Sequence, residues 1–205
     1  MSQVLALRYL DGADPVLAKA LGAPEGFFSL GLLTADCDDA TYIALDAATK
    51  AAEVRVIYGA SFYAGAANAS TPNAGEVLGI LAARTPGALR SGMEAALETL
   101  RKLSFQDLHG VPCLAYTVSA AGSFLAKEAG VRPGSALCYL IAPPLESMYG
   151  LDKAMKAAAV KLCKLYTPPS PTNFGGGLLS GSQSDCIAAC GAFLEAVNSV
   201  AKKPR

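Results

Sequence analysis

The stretch Leu45-Asp46-Ala47-Ala48-Thr49-Lys50-Ala51-Ala52-Glu53-Val54 returns later in the chain as Leu151-Asp152-Lys153-Ala154-Met155-Lys156-Ala157-Ala158-Ala159-Val160. Seven of these ten pairs are identical, at an offset of 106 residues in a chain of 205. The surroundings repeat in the same order: a short apolar stretch, a loop rich in Pro, Gly and Asn, a second apolar stretch and a long amphipathic segment. Alanine-rich helices match easily by chance, so the order of the surrounding elements carries the inference of a duplication. It predicts two domains, 1–106 and 107–205, each a small α/β unit with helices packed on one sheet. Two similar surfaces on one polypeptide suit a tile in a symmetric assembly, where each interface recurs.

Outward from the repeat, Val4 to Leu10, Ser29 to Ala35, Thr41 to Ala44, Val54 to Tyr58 and Glu76 to Ala83 read as strands of the first half. The acidic Asp36-Cys37-Asp38-Asp39 reads as a turn between two of them, and a helix follows from about Asp46. Asp14-Pro15 and Thr85-Pro86 supply N-caps with proline at the first helical position. Leu89, Met93, Ala96 and Leu100 then form the stripe of a half-buried helix. In the second half, strands are expected near Cys113 to Val118, Ala136 to Ala142 and Val160 to Tyr166. Helices are expected near Ser123 to Ala129, from about Leu151, and over a last segment carrying Ile187, Cys190, Leu194 and Val197. Two long loops, Ser61 to Gly75 and Thr167 to Gly177, occupy equivalent places in the repeats. Loops of that length are usually functional, and their equivalence fits a pore or gate.

The balance of 17 basic and 17 acidic residues lacks the electrostatic footprint of a nucleic-acid binder. No secretory leader and no apolar run long enough for a membrane span is read, so a soluble cytoplasmic protein is expected. The six cysteines show no CxxC spacing and read as reduced, structural thiols with no metal. His109 is the single histidine and reads as an exposed loop residue beside Gly110. With no GxSxG and no Gly-rich phosphate loop, no catalytic residue and no cofactor is assigned; an enzyme is not expected.

The motif Ser-Leu-Gly-Leu-Leu-Thr-Ala-Asp-Cys-Asp-Asp-Ala-Thr-Tyr-Ile-Ala (29–44) resembles a signature of the EutL family of ethanolamine-utilisation microcompartment shell proteins. So do Tyr63-Ala64-Gly65-Ala66, Ala74-Gly75-Glu76-Val77, Ala142-Pro143-Pro144-Leu145-Glu146, Pro171-Thr172-Asn173-Phe174 and Gly181-Ser182-Gln183, in the same order and across nearly the whole chain. A shortened connector around Leu103 to Cys113, and Ala120-Ala121 before Gly122-Ser123-Phe124, depart from the family pattern. The resemblance implies tandem, circularly permuted bacterial-microcompartment domains. It implies a homotrimer that mimics a hexameric tile, packs with other shell proteins, and carries a central pore gated by loop rearrangement. It also implies small pores where an ethanolamine-like amine binds.

On that resemblance Asp38, Asp39 and Glu76 are the acidic residues expected to meet the amine. Phe105, Thr172, Asn173 and Phe174 are expected to supply apolar and hydrogen-bonding wall. An opposite charge at about 4 Å is worth roughly 1 kcal/mol in water and about 4 in a partly screened protein site, a range suited to reversible capture. A turn whose carboxylates cap backbone amides is the plainer reading of Asp36 to Asp39, and a core role the plainer one for Phe105 and Phe174. Phe62, Tyr63, Ala64, Gly65, Asn68, Gly175 and Gly176 are the gate candidates, since glycine permits large backbone changes and an aromatic can plug a hole; an ordered loop is the alternative. The function expected is a microcompartment shell tile; a trimeric amine sensor outside any shell is the second reading.

Overall fold

A computed structural model describes residues 2–62 and 75–205 and divides them into two compact units. The first runs through Ser104 and takes in Gly122–Leu125; the second is Phe105–Ala121 with Ala126–Arg205. The first contains β1 (Val4–Leu10), α1 (Pro15–Ala20), β2 (Ser29–Ala35), α2 (Asp38–Ala51), β3 (Val54–Ser61), β4 (Val77–Ala83) and α3 (Pro86–Lys102). Its strands are antiparallel in the order β1-β2-β4-β3. Downstream follow β5 (Gln106–Leu108), β6 (Val111–Val118), α4 (Ser123–Ala129), β7 (Ala136–Ala142), α5 (Pro144–Ala157), β8 (Lys161–Tyr166), β9 (Gly175–Gly181) and α6 (Gln183–Lys202). The second sheet has the order β5-β6-β7-β9-β8, the first sheet's order plus the short edge strand β5. The duplication is thus visible strand by strand.

Equivalent positions follow from the registers and caps. Leu10 pairs with Leu30 as Val118 pairs with Leu137. Thr85 caps α3 by accepting from Ala88 N, and Ser182 caps α6 by accepting from Asp185 N. Gly22 and Gly130, like Gly26 and Gly134, occupy the left-handed region in matching turns. The cores differ in how they fill the same space. Gly31 of β2 lies under Leu89 and Met93 of α3, and a Cβ there would stand 2.5 Å from Met93 Cε. The matching site on β7 is Cys138, and the matching α6 residues are Cys186 and Cys190. A gap under two large side chains has become a small side chain under two small ones, which conserves volume.

The repeated stretch itself closes α2 and α5. Leu45 and Leu151 are buried at matching places, and Leu45 lies on Gly79 of β4. Asp46–Lys50 (3.2 Å) and Asp152–Lys156 (2.7 Å) are the matching ion pairs one turn apart. Asp46 is fully buried and also accepts from Gly122 N (2.7 Å) and Leu125 N (2.9 Å), so it satisfies amides at the start of α4 from a distance. Gly122 has no room for a side chain, because a Cβ would meet Thr49 Oγ1 and the Asp46 carbonyl.

Three elements differ from the sequence expectation. Thr41 to Ala44 is not a strand and Asp36 to Asp39 is not a free turn, for α2 begins at Asp38. Nearly every residue in its first three turns is buried, so no polar face marks the helical period. Helix α5 likewise begins at Pro144, ahead of Leu151. The loop after Tyr166 ends sooner than expected, because Gly175, Gly176 and Gly177 already belong to β9. A Cβ on Gly176 would strike the Leu140 carbonyl, and one on Gly177 would stand 2.5 Å from the Lys164 carbonyl; close strand approach requires these glycines.

Removing the Asp46 carboxylate leaves the two buried amides of Gly122 and Leu125 without their acceptor. Asp46→Ala is expected to cost about 3 kcal/mol, read from the urea midpoint at unchanged slope. Glu98→Ala, which removes an exposed pair with Lys102, is expected to leave the midpoint in place.

Candidate functional site

The acidic residues singled out from the sequence meet where β2 ends, α2 starts and β4 starts. Cys37 is the N-cap of α2 in extended conformation, and Asp38 and Asp39 form the first turn, both buried. Negative charge there is favoured by the exposed amides and dipole of the helix. Asp38 Oδ1 accepts from Asp39 N at 2.8 Å, and Thr41 Oγ1 donates to the Cys37 carbonyl at 2.7 Å. The N-cap Cys37 itself makes no side-chain capping bond, so Asp38 serves one amide from within the first turn. Asp36 lies just outside, accepting from Gln3 N at 2.7 Å while its own amide donates to the Gln3 carbonyl.

Glu76 is fixed by its backbone. Its amide donates to the Ala35 carbonyl (3.0 Å) and its carbonyl accepts from Phe62 N (2.9 Å), which spans the ends of β2 and β3. Gly75 is pressed so close to Ala35 and Thr34 that a Cβ would strike the Ala35 carbonyl. The Thr34 hydroxyl beside it is buried with no hydrogen-bond partner among the described residues. Burial first, and then Asp38 and Asp36, hold the Glu76 carboxyl above its ordinary value of 4.5. Burial is also the main cause that pushes the Tyr42 hydroxyl up to about 12, with Asp38 and Asp39 adding to it and a hydrogen bond to Ser61 opposing. The Cys37 thiol is pushed up to about 12 by burial, helped by Asp39 and Asp38. Among the described residues, neither Asp38 nor Glu76 joins an ion pair. The arrangement is one of clustered negative charge that a small cation would relieve.

Tyr42 and Ser61 belong to this neighbourhood and were not singled out from the sequence. Once α2 is extended back to Asp38, Tyr42 is one turn from that residue and the association becomes readable.

The wall candidates of the second unit form their own group. Phe105 and Phe174 pack edge to face with centroids 5.3 Å apart. Thr172 and Asn173 lie in a turn closed by Asn173 N to the Ser170 carbonyl (3.1 Å) and Ser170 Oγ to the Phe174 carbonyl (2.9 Å). Asn173 is left-handed, with φ 59°. Phe174 precedes β9 as Glu76 precedes β4, and Pro144 and Leu145 open α5 where Asp38 and Asp39 open α2. The paired carboxylates at the first two helical positions thus belong to the first repeat, while α5 carries a single acidic residue, Glu146, in its first turn. Of the gate candidates, Phe62 is exposed and hydrogen-bonded to Glu76. Gly175 and Gly176 are buried and paired within β9, with Ala142 and Ile141 on one side and Tyr166 on the other. Tyr63, Ala64, Gly65 and Asn68 lie outside the described residues. His109 is in an exposed β5–β6 turn. No helix among the described residues is long and apolar enough to cross a membrane.

Residues 29–112 match the BMC domain family. The chain is 53% identical to the bacterial microcompartment shell protein EutL of Clostridium perfringens, over 98% of this chain and 94% of that protein. It is 45% identical to the shell protein EutL of Salmonella typhimurium over the same shares. The crystal structure of EutL from C. perfringens superposes with a TM-score of 0.94, covering 99% of this chain and 94% of that one. These relatives are named as shell proteins and not as enzymes.

The raised pKa of Glu76 has a stability consequence. Its contribution to folding is greatest where it is protonated, below the ordinary carboxylate value, and is lost as pH rises through the elevated value. Glu76→Gln is therefore expected to raise the melting temperature near pH 7 and to leave it unchanged near pH 3. A variant that melts lower than the parent at neutral pH would show that the carboxylate is a structural anchor.

Proposed function

The chain belongs to the EutL family of bacterial microcompartment shell proteins, and from that premise we propose that it acts as a homotrimeric, pseudo-hexameric shell tile. In this reading residues 1–106 and 107–205 are its two domains, other shell proteins are its neighbours, and a gated central pore lies on the three-fold axis. Asp38, Asp39 and Glu76 hold a small amine such as ethanolamine through charge, weakly enough to pass or sense it. Phe105, Thr172, Asn173 and Phe174 provide apolar and amide lining for small pores. Phe62, Tyr63, Ala64, Gly65 and Asn68 are the gate. Gly175 and Gly176 are buried in β9, the second paired on both sides and the first on one, which favours a fixed strand for those two.

The observation that supports the trimer best is an asymmetry between the repeats. In the first unit, α2 is covered by Gly122–Leu125: Tyr42 packs on Phe124 with ring centroids 6.1 Å apart, and Ser123 N donates to Thr49 Oγ1. The α5 residues matching Tyr42, Ile43 and Thr49 are Met148, Tyr149 and Met155, all exposed, and Leu145 beside them is 65% exposed. The α1 residues matching Phe124 and Leu125 are Val16 and Leu17. Leu17 is 47% exposed where Leu125 is 1% exposed. Each chain therefore carries one satisfied contact and the two separate halves of a second. Joining α5 of one copy to α1 of the next makes a head-to-tail contact that closes into a ring. The apolar part of the contact carries over; the distant capping does not, because α1 caps itself through Asp14.

Light scattering behind a sizing column is expected to give three copies of the 20.9 kDa chain. Val16→Asp and Met148→Asp should each raise the dissociation constant by about 30-fold or more. Electron microscopy of the trimer should show extended sheets; a trimer that binds the amine and forms none would support the sensor reading. A monomeric parent protein would overturn both.

A further inference from the structure

Three of the six cysteines converge at one place in the second unit. Cys138 is at the centre of β7, opposite Thr117 of β6. Cys186 and Cys190 are one turn apart on the face of α6 that packs on the sheet. The Cys138 thiol donates to the Cys186 carbonyl at 3.4 Å, and Thr117 Oγ1 donates to Cys190 Sγ at 3.4 Å. Thr117, the cross-strand partner of Cys138, thus reaches Cys190 directly, which puts the Cys138 and Cys190 thiols in the same packed layer between β7 and α6. The first unit gives the same answer independently: at the matching places Met93 and Leu89 lie directly over Gly31. Replacing leucine and methionine by smaller residues over a filled β7 position accounts for small side chains there. It does not account for sulfur at all three.

We propose that Cys138 and Cys190 form a reversible, peroxide-sensitive dithiol–disulfide site that ties α6 to β7. Cys190 is 7% exposed while Cys138 and Cys186 are fully buried, so a small peroxide reaches Cys190 first. The neighbouring Cys138 thiol and then the Thr117 hydroxyl favour a Cys190 thiolate and hold its pKa below the ordinary value against burial, whereas Cys138 is held above it. Peroxide transfers one oxygen to the Cys190 sulfur, giving a sulfenic acid and one water. The Cys138 sulfur then attacks that sulfur, the S–S bond forms, the S–O bond breaks, and a second water leaves with the Cys138 proton. Two electrons pass from the thiols to the peroxide, and a thiol reductant reverses the change.

The test treats the purified protein with hydrogen peroxide, removes the excess, and unfolds it in an alkylating agent for intact-mass analysis. The expected product is a single chain with four alkylated cysteines and two hydrogens fewer, against six alkylated cysteines after reduction. Trypsin leaves Cys138 on Glu128–Lys153 and both Cys186 and Cys190 on Leu165–Lys202, so the bridge joins two separable peptides. Because Cys186 and Cys190 share a peptide, the substitution Cys186→Ser is expected to retain the bridge and Cys190→Ser to abolish it. Six alkylated cysteines after peroxide, a bridge that persists in Cys190→Ser, or a product linked between chains would each overturn the proposal.

Discussion

A buried carboxylate needs its charge balanced, and Asp46 meets that need from three directions: Lys50 on its own helix and the amides of Gly122 and Leu125, distant in sequence. An unpaired charge in that position would cost several kcal/mol, so these partners are held together or the fold yields. Through them the start of α4 is held against α2, which brings Phe124 onto Tyr42 and Ser123 onto Thr49. The same Asp–Lys pair recurs on α5 with Asp152 nearly half exposed and, among the described residues, no such amides to serve. One motif therefore carries an internal contact in the first repeat and stands at an open surface in the second.

The two repeats have also parted chemically at the ends of their central strands. In the first, Asp36, Asp38, Asp39 and Glu76 gather around the start of α2, and burial, then the charges of Asp38 and Asp36, hold the Glu76 carboxyl up. In the second, Pro144, Leu145 and Phe174 occupy the corresponding places, and an aromatic pair fills the space with van der Waals contact. A duplicated architecture has kept its hydrogen-bond frame while reversing the polarity of one corner. The sheets that support the two corners share one strand order, so the chemistry of a corner changes without altering its support.

Much of this was readable from residue patterns. The strands that follow each copy of the repeat, the α3 stripe from Leu89 to Leu100 and the caps Asp14 and Thr85 follow from periodicity and capping chemistry, and all appear in the structure. Helix α2 was misread because its burial is nearly circumferential, which erases the amphipathic signal, and because Thr41-Tyr42-Ile43 favours a strand locally. The glycines opening β9 look like loop residues until the carbonyls of Leu140 and Lys164 are seen beside them. The attachment of Gly122–Leu125 to the first unit has no local signature at all, since its acceptor Asp46 is 76 residues from Gly122. The resemblance singled out Asp38, Asp39 and Glu76; tertiary packing alone shows that Tyr42 and Ser61 lie beside them.

The exchange of volumes between Gly31 with Leu89 and Met93, and Cys138 with Cys186 and Cys190, reaches beyond packing. Genetic recombination between the two halves would tend to copy one segment over its twin. Copying α6 over α3 would leave a void above Gly31, and copying α3 over α6 would drive a methionine into Cys138. Either hybrid is penalised unless strand and helix change together. The two halves are thereby insulated from homogenisation, and each is free to keep its own history on a shared scaffold.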